Sequence, residues 1–159
     1  MLSRKGLNMS DEFKISLAQL NATVGDLSGN TQKVMEAWEI ARDQRSDLIA
    51  FPELFITGYN PQDLILKTAF QKAATSSIAQ IAKACAQGPA IAIGGPFYDE
   101  NKLYNSYYIL ADGKIQAVIK KHHLPNEEVF DEVRLFSSGN VDGPFPVSYT
   151  HLRAHETAT

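Results

Sequence analysis

The chain has 159 residues, 44% of them apolar and 21% charged, which suffices for one modest core and is too short for a two-domain enzyme. A net charge of -3, with no basic run longer than Lys120-Lys121, excludes the cationic field that holds a nucleic acid backbone. The single cysteine, Cys85, excludes an internal disulfide framework and a thiolate-only metal site, and fits a reducing cytoplasm.

Residues 1–12 contain Arg4 and Lys5 but no apolar stretch of signal-peptide length, and are expected to be a polar leader with Met9 as an alternative start. No later segment has the length and apolarity of a membrane span. Residues 13–20 alternate, with Phe13, Ile15 and Leu17 on one side, and predict a first, core strand. Gly25, Asp26, Ser28, Gly29 and Asn30 read as a turn before an amphipathic helix, in which Val34, Met35, Trp38 and Ala41 recur at helical spacing as far as Arg45. The run at 47–51, continuously apolar after the acidic Asp47, is short enough for a buried strand, and Pro52 stops it. A polar, proline-marked segment at 57–63 leads to a second helix carrying Phe70, Ala74, Ile78, Ile81 and Cys85 on one stripe. Strands are predicted at 90–94 and 103–110, and Ala111-Asp112-Gly113-Lys114 turns the chain into a last one at 115–119. The order βαβαβββ predicts a mixed α/β sheet. Residues 148–159 have no periodicity and no relation to the preceding pattern, and are expected to be a non-native tail outside the fold.

Three places invite chemistry. Glu53 stands directly after an apolar strand, where an unpaired carboxylate is costly, so it is either paired or functional; the carboxyl ends of strands in α/β sheets are also where ligands gather. At 119–123, period-two alternation sends Ile119, Lys121 and His123 one way and Lys120 and His122 the other, so one lysine faces inward, while the adjacent histidines lack metal-ligand spacing. An ammonium held beside a carboxylate is suited to orienting a substrate and stabilising an oxyanion. Cys85 lies on the apolar stripe of the second helix with Ile78 and Ile81, and reads as a packing residue. No G-x-S-x-G elbow is present among the serines.

FPELFITGY at 51–59 and IKKHHLPN at 119–126 together resemble the carbon-nitrogen hydrolase, or nitrilase, superfamily, whose members use a Glu-Lys-Cys triad. TGYNPQDL at 57–64 and LPNEEVFDEVRLF at 124–136 are similar to the TGYxPxDL and LPNYxVFDExRxF stretches of the glutamine-amidase domains of NAD synthetases; with ISLAQLNATVG at 15–25 and GGP at 94–96, the resemblance spans 13–146.

This resemblance implies a nitrilase-like αββα sandwich, incomplete at its C-terminal side, with a partial amidase domain at 13–147. It also implies site roles. Glu53 matches the general base and Lys121, set by the K-x-H-L-P register, the oxyanion-stabilising lysine. Glu132 matches a second acid near that lysine, and Phe130 a pocket-lining aromatic. Glu127 stands where the family has a glutamine-contacting tyrosine, so the glutamine pocket is expected to differ there. The family's nucleophilic cysteine follows the VFDE segment and is not matched by Cys85, so the chain is expected to be inactive alone. By the same resemblance the domain needs no metal or organic cofactor, while ATP, Mg and deamido-NAD belong to a C-terminal synthetase domain, and the parent enzyme is a homo-oligomer. A stand-alone amidase or carbamoylase, and a non-catalytic interaction domain, are the competing readings.

Overall fold

The computed structural model describes residues 13–127 and 131–141, together with the backbone of two short strands at Phe145–Val147 and Thr150–Leu152. The leader at 1–12 and Phe130 lie outside the described residues. In chain order the elements are β1 (Ile15–Leu17), α1 (Leu27–Asp43), β2 (Leu48–Ala50), a 3-10 turn (Gln62–Leu66), α2 (Thr68–Ala84), β3 (Ala90–Asp99), β4 (Lys102–Ala111), β5 (Lys114–Lys120), α3 (Glu132–Leu135), β6 (Phe145–Val147) and β7 (Thr150–Leu152).

The first five strands form one sheet in the order β1-β2-β3-β4-β5. β1, β2 and β3 run parallel, which requires helical crossovers between them, and β3, β4 and β5 are antiparallel hairpins. Both crossovers advance in the same direction along the sheet, so both helices fall on one face. That face holds the main core: Val34, Trp38 and Ala41 of α1 and Ala74, Ile78 and Ile81 of α2 pack on Ile49, Ile91, Ile93, Tyr108 and Leu110. The alternate residues Leu48, Ala92 and Ile109 form a separate apolar cluster on the other face. β6 and β7 pair with each other, so 150–152, expected to lie outside the fold, form a strand against 145–147.

Some boundaries differ from the sequence reading for identifiable reasons. α1 begins at Leu27, because Asp26 caps it by accepting from the Gly29 amide at 2.9 Å, and the turn-forming residues become its first turn. β1 is a three-residue edge strand rather than a core one. With a sheet neighbour on one side only, its Ile15 and Leu17 remain 47% and 71% exposed, and alternation alone does not tell an edge from a centre. β3 continues through Gly94, Gly95 and Pro96 because β4 pairs with it along the whole stretch; past Ala92 it no longer faces β2, the edge setting in which proline is tolerated. Asp112 and Gly113 have φ of 53° and 75°, the left-handed pair a two-residue hairpin needs, as the sequence indicated. Glu100 and Asn101 turn the other hairpin with φ of 46° and 63°.

Candidate active site

β2 ends at Ala50, and Phe51 still joins the sheet by donating its amide to the Ala92 carbonyl at 2.8 Å. The chain then turns sharply. Leu54 is buried with φ of 49°, a strained conformation for a branched side chain, at the point where Glu53 leaves the strand. The turn lies over Gly94, and the Ile56 amide donates to the Gly94 carbonyl at 3.3 Å. With no side chain at 94, the turn passes across β3 and brings Glu53 to β4 and β5.

There the Lys121 ammonium donates to Glu53 Oε1 at 2.8 Å and lies 3.0 Å from Glu132 Oε2. Lys121 therefore bridges two carboxylates from separate parts of the chain. Lys120, one residue earlier, points to the opposite side: its ammonium pairs with Asp99 at 2.8 Å and lies over the Tyr104 ring. Period-two alternation thus separates the two lysines as the sequence predicted. Asn105 of β4 donates from Nδ2 to Glu53 Oε1 at 2.5 Å, and its carbonyl accepts from the Lys121 amide at 2.8 Å. Tyr107, on the same face of β4, donates its hydroxyl to the Phe51 carbonyl at 2.6 Å and pins the end of β2. These groups open on a cavity of about 330 Å³ whose lining includes Phe51, Glu53, Asn105, Tyr107, Ile119 and Lys121.

Glu132 reaches the cluster from the start of α3, and it is only 5% exposed. Two contacts hold α3 in place: Leu135 and Phe136 pack with Leu54, Ile65 and Leu103, and Arg134 pairs with Asp63 of the 3-10 turn. Burial pushes the Glu132 pKa up, the Lys121 hydrogen bond pulls it back and the Glu53 charge raises it again, for a net rise. Burial also pulls the Lys121 pKa down, but its hydrogen bonds to Glu53 and Glu132 outweigh this and the net is a rise, so the ammonium stays charged. Tyr59, six residues after Glu53, has its phenol pKa raised by partial burial and then by the charges of Glu53 and Glu132.

Of the residues singled out from sequence, Glu53, Lys121 and Glu132 meet at one point. Glu127 is exposed and stands outside that cluster, and Phe130 lies outside the described residues. Asn105 was not foreseen; the available signal was a polar amide in the middle of an apolar strand, which needs a partner if buried. Cys85 is buried, 3.5 Å from the Met35 sulfur, with its thiol pushed up to about 11 by burial. Because α2 runs back against the parallel strands, Cys85 lies at the end of the sheet opposite Glu53, near the Asp112-Gly113 hairpin, where Gly113 approaches Ala86. Among the described residues no group of three or more His, Cys, Asp or Glu is arranged to hold a metal, and no helix is long and apolar enough to cross a membrane.

Comparison with known proteins identifies the relatives of the chain. The chain is 50% identical over 136 residues to the glutamine-dependent NAD(+) synthetase of Rhodobacter capsulatus, covering 86% of this chain and 25% of that protein. It is 39% identical over 127 residues to the Thermotoga maritima protein of the same name, covering 80% of this chain and 22% of that one. It therefore spans about a quarter of the length of the curated relatives it matches. Among solved structures, the glutamine-dependent NAD+ synthetase of Acinetobacter baumannii superposes with a TM-score of 0.81 at 35% identity, over 87% of this chain and 26% of that one. An amidase of Nesterenkonia sp. shares the fold with a TM-score of 0.72 at 24% identity, over 86% and 51% of the two chains. The family model for carbon-nitrogen hydrolases matches residues 14–153, and the chain belongs to that family.

Proposed function

We propose that this chain carries the Glu and Lys of a Glu-Lys-Cys amidase site in the glutamine-hydrolysing part of a glutamine-dependent NAD synthetase. The observation that carries the reading is the contact of Lys121 with both Glu53 and Glu132 at the carboxyl end of β2, in a chain 50% identical over 136 residues to a quarter of such a synthetase.

Glu53 takes the proton of a cysteine thiol, and the thiolate attacks the carbon of the glutamine side-chain carboxamide. The carbonyl oxygen becomes an oxyanion beside the Lys121 ammonium, which is already in place and desolvated on one side. Collapse of the tetrahedral adduct transfers the proton to the leaving nitrogen and releases ammonia, leaving a glutamyl thioester. Water, deprotonated by Glu53, then attacks the thioester, and glutamate and the thiol are regenerated. Glu132 keeps Lys121 aimed at the reacting carbonyl.

Cys85 cannot serve as this thiol: it is buried in the α1–α2 core at the wrong end of the sheet and holds its proton tightly. We infer that the nucleophile belongs to a part of the domain beyond these residues, which also completes an αββα sandwich over the Leu48, Ala92 and Ile109 face. The ammonia goes to ATP- and Mg-dependent amidation of deamido-NAD in a separate synthetase domain, within a cytoplasmic homo-oligomer. The amidase chemistry draws on no metal or organic cofactor.

Two measurements test this. The purified 159-residue chain releases no ammonia from glutamine; turnover that survives removal of contaminating glutaminase overturns the assignment of the missing thiol. Sequencing the coding region beyond Pro146 finds a cysteine and then an SGGxDS ATP-pyrophosphatase loop. A stop soon after an amidase length instead identifies a stand-alone amidase or carbamoylase, and an extended domain with no cysteine identifies a non-catalytic interaction module.

A further inference from the structure

Asn105 is 3% exposed in the middle of an apolar strand, and it contacts both charged partners of the site. Its side chain donates to Glu53 Oε1 at 2.5 Å, and its main-chain carbonyl accepts from the Lys121 amide at 2.8 Å. One residue thus ties the carboxylate and the cation to the same point of β4. The nitrogen end of the amide must be the one that meets Glu53, because a carbonyl turned toward a carboxylate would be repelled.

Glu53 Oε1 also accepts from Lys121 Nζ at 2.8 Å, so two donors converge on one oxygen. Oε2 accepts no hydrogen bond from a described residue. An oxygen that already accepts two short hydrogen bonds is the poorer proton acceptor, since protonation there expels a donor. An asparagine amide is suited to this task. It cannot turn its donor into an acceptor as a hydroxyl does, and it adds no charge beside Glu132 as an aspartate would.

We propose that Asn105 is a positioning residue which, by occupying Oε1 of Glu53 together with Lys121, directs proton transfer to Oε2. Its part in a reaction rests on the amidase reading above; the positioning itself is measurable without substrate.

The test is a pH titration of the 15N-labelled chain, following the side-chain amide of Asn105 by NMR. One Nδ2 proton is expected well downfield of the other asparagine amides, moving as Glu132 titrates and returning toward the others in Glu53→Gln. Asn105→Ala is expected to raise the titration midpoint of Glu132 further, because it removes a donor that holds that midpoint down. Tyr107→Phe removes a neighbouring hydrogen bond of the same strand and is expected to leave the midpoint in place. An Asn105 amide that lies among the others and ignores pH overturns the proposal, as does an equal midpoint shift in Tyr107→Phe, which would mark general loosening. If Asn105→Ala does not fold, the wild-type and Glu53→Gln amide signals still decide. Ammonia release, or the sequence beyond Pro146, bears on the amidase reading alone and leaves these signals unaffected.

Discussion

Gly94 lies directly against the main chain of Glu53: a Cβ at position 94 would stand 2.8 Å from Glu53 Cα and 2.3 Å from Leu54 N. The atoms in the way are backbone, held on one side by the sheet and on the other by a buried turn, so neither can yield cheaply. Gly94→Ala is expected to destabilise the chain by about 1–3 kcal/mol, as overpacking of a filled core does. Gly95→Ala meets instead the ends of the Ile78 and Ile56 side chains, at 2.8 and 3.0 Å, which are able to shift. Urea denaturation of both variants checks this; a Gly94→Ala protein no less stable than Gly95→Ala would show that the turn does not cross β3 at that point.

Lys121→Met leaves Glu53 and Glu132 facing one another without their shared cation. The side chain is nearly the volume of the lysine stem, so the loss is electrostatic rather than one of packing. Lys121 is 21% exposed and Glu53 40%, which places the site between a surface pair and a fully buried one. A loss of about 1–3 kcal/mol at neutral pH is expected, chiefly the cost of stranding the buried Glu132. Lys121→Met combined with Glu132→Gln should recover part of it, because the stranded charge is gone. A double variant no more stable than Lys121→Met alone would mean that Glu132 is not held by this ammonium.

The two shifted groups of the site act on stability in opposite pH ranges. Glu132 has a pKa above the ordinary value of 4.5, so the folded chain binds more protons than the unfolded one in the window just above 4.5. Stability therefore falls as pH rises through that window, and Glu132→Gln should flatten the fall. Lys121 has a pKa above the ordinary 10.5; its contribution is full below that value and is lost as pH climbs through the raised one. Urea midpoints measured against pH for the wild type, Glu132→Gln and Lys121→Met separate the two contributions. A wild-type profile parallel to both variants would remove the site from the pH dependence.

What the sequence shows about this site is what local periodicity encodes. Glu53 at the end of an apolar run, and Lys121 facing away from Lys120, follow from strand spacing, and the two-residue turn at Asp112-Gly113 follows from residue chemistry. The motifs then add the pairing of Glu53, Lys121 and Glu132. Asn105 was hidden because its partner lies 52 positions away in sequence, and the contact exists only once the sheet order and the Gly94 crossing are known. The edge position of β1 and the continuation of β3 through Gly-Gly-Pro have the same cause: local signals of a core strand and of a breaker are overridden by what lies alongside in the sheet.

Trp38 reports on the helical side of that sheet. It is the chain's single tryptophan, is 5% exposed, and donates from Nε1 to the Pro89 carbonyl at 2.9 Å. Pro89 immediately precedes β3, so this bond fixes α1 against the segment that starts the longest parallel strand. Gly88 closes the same contact, since a Cβ there would come 2.5 Å from Trp38 Cζ2. Trp38→Phe keeps most of the apolar surface but leaves the Pro89 carbonyl without its donor, at an expected cost of about 1–3 kcal/mol. Gly88→Ala should be destabilising for a second reason, because Gly88 has φ of 153°, which side chains rarely adopt. In Gly88→Ala the native Trp38 emission should also move to longer wavelength as the indole is pushed from its pocket. Unchanged emission together with unchanged stability would mean that α1 does not rest on the start of β3 through this indole.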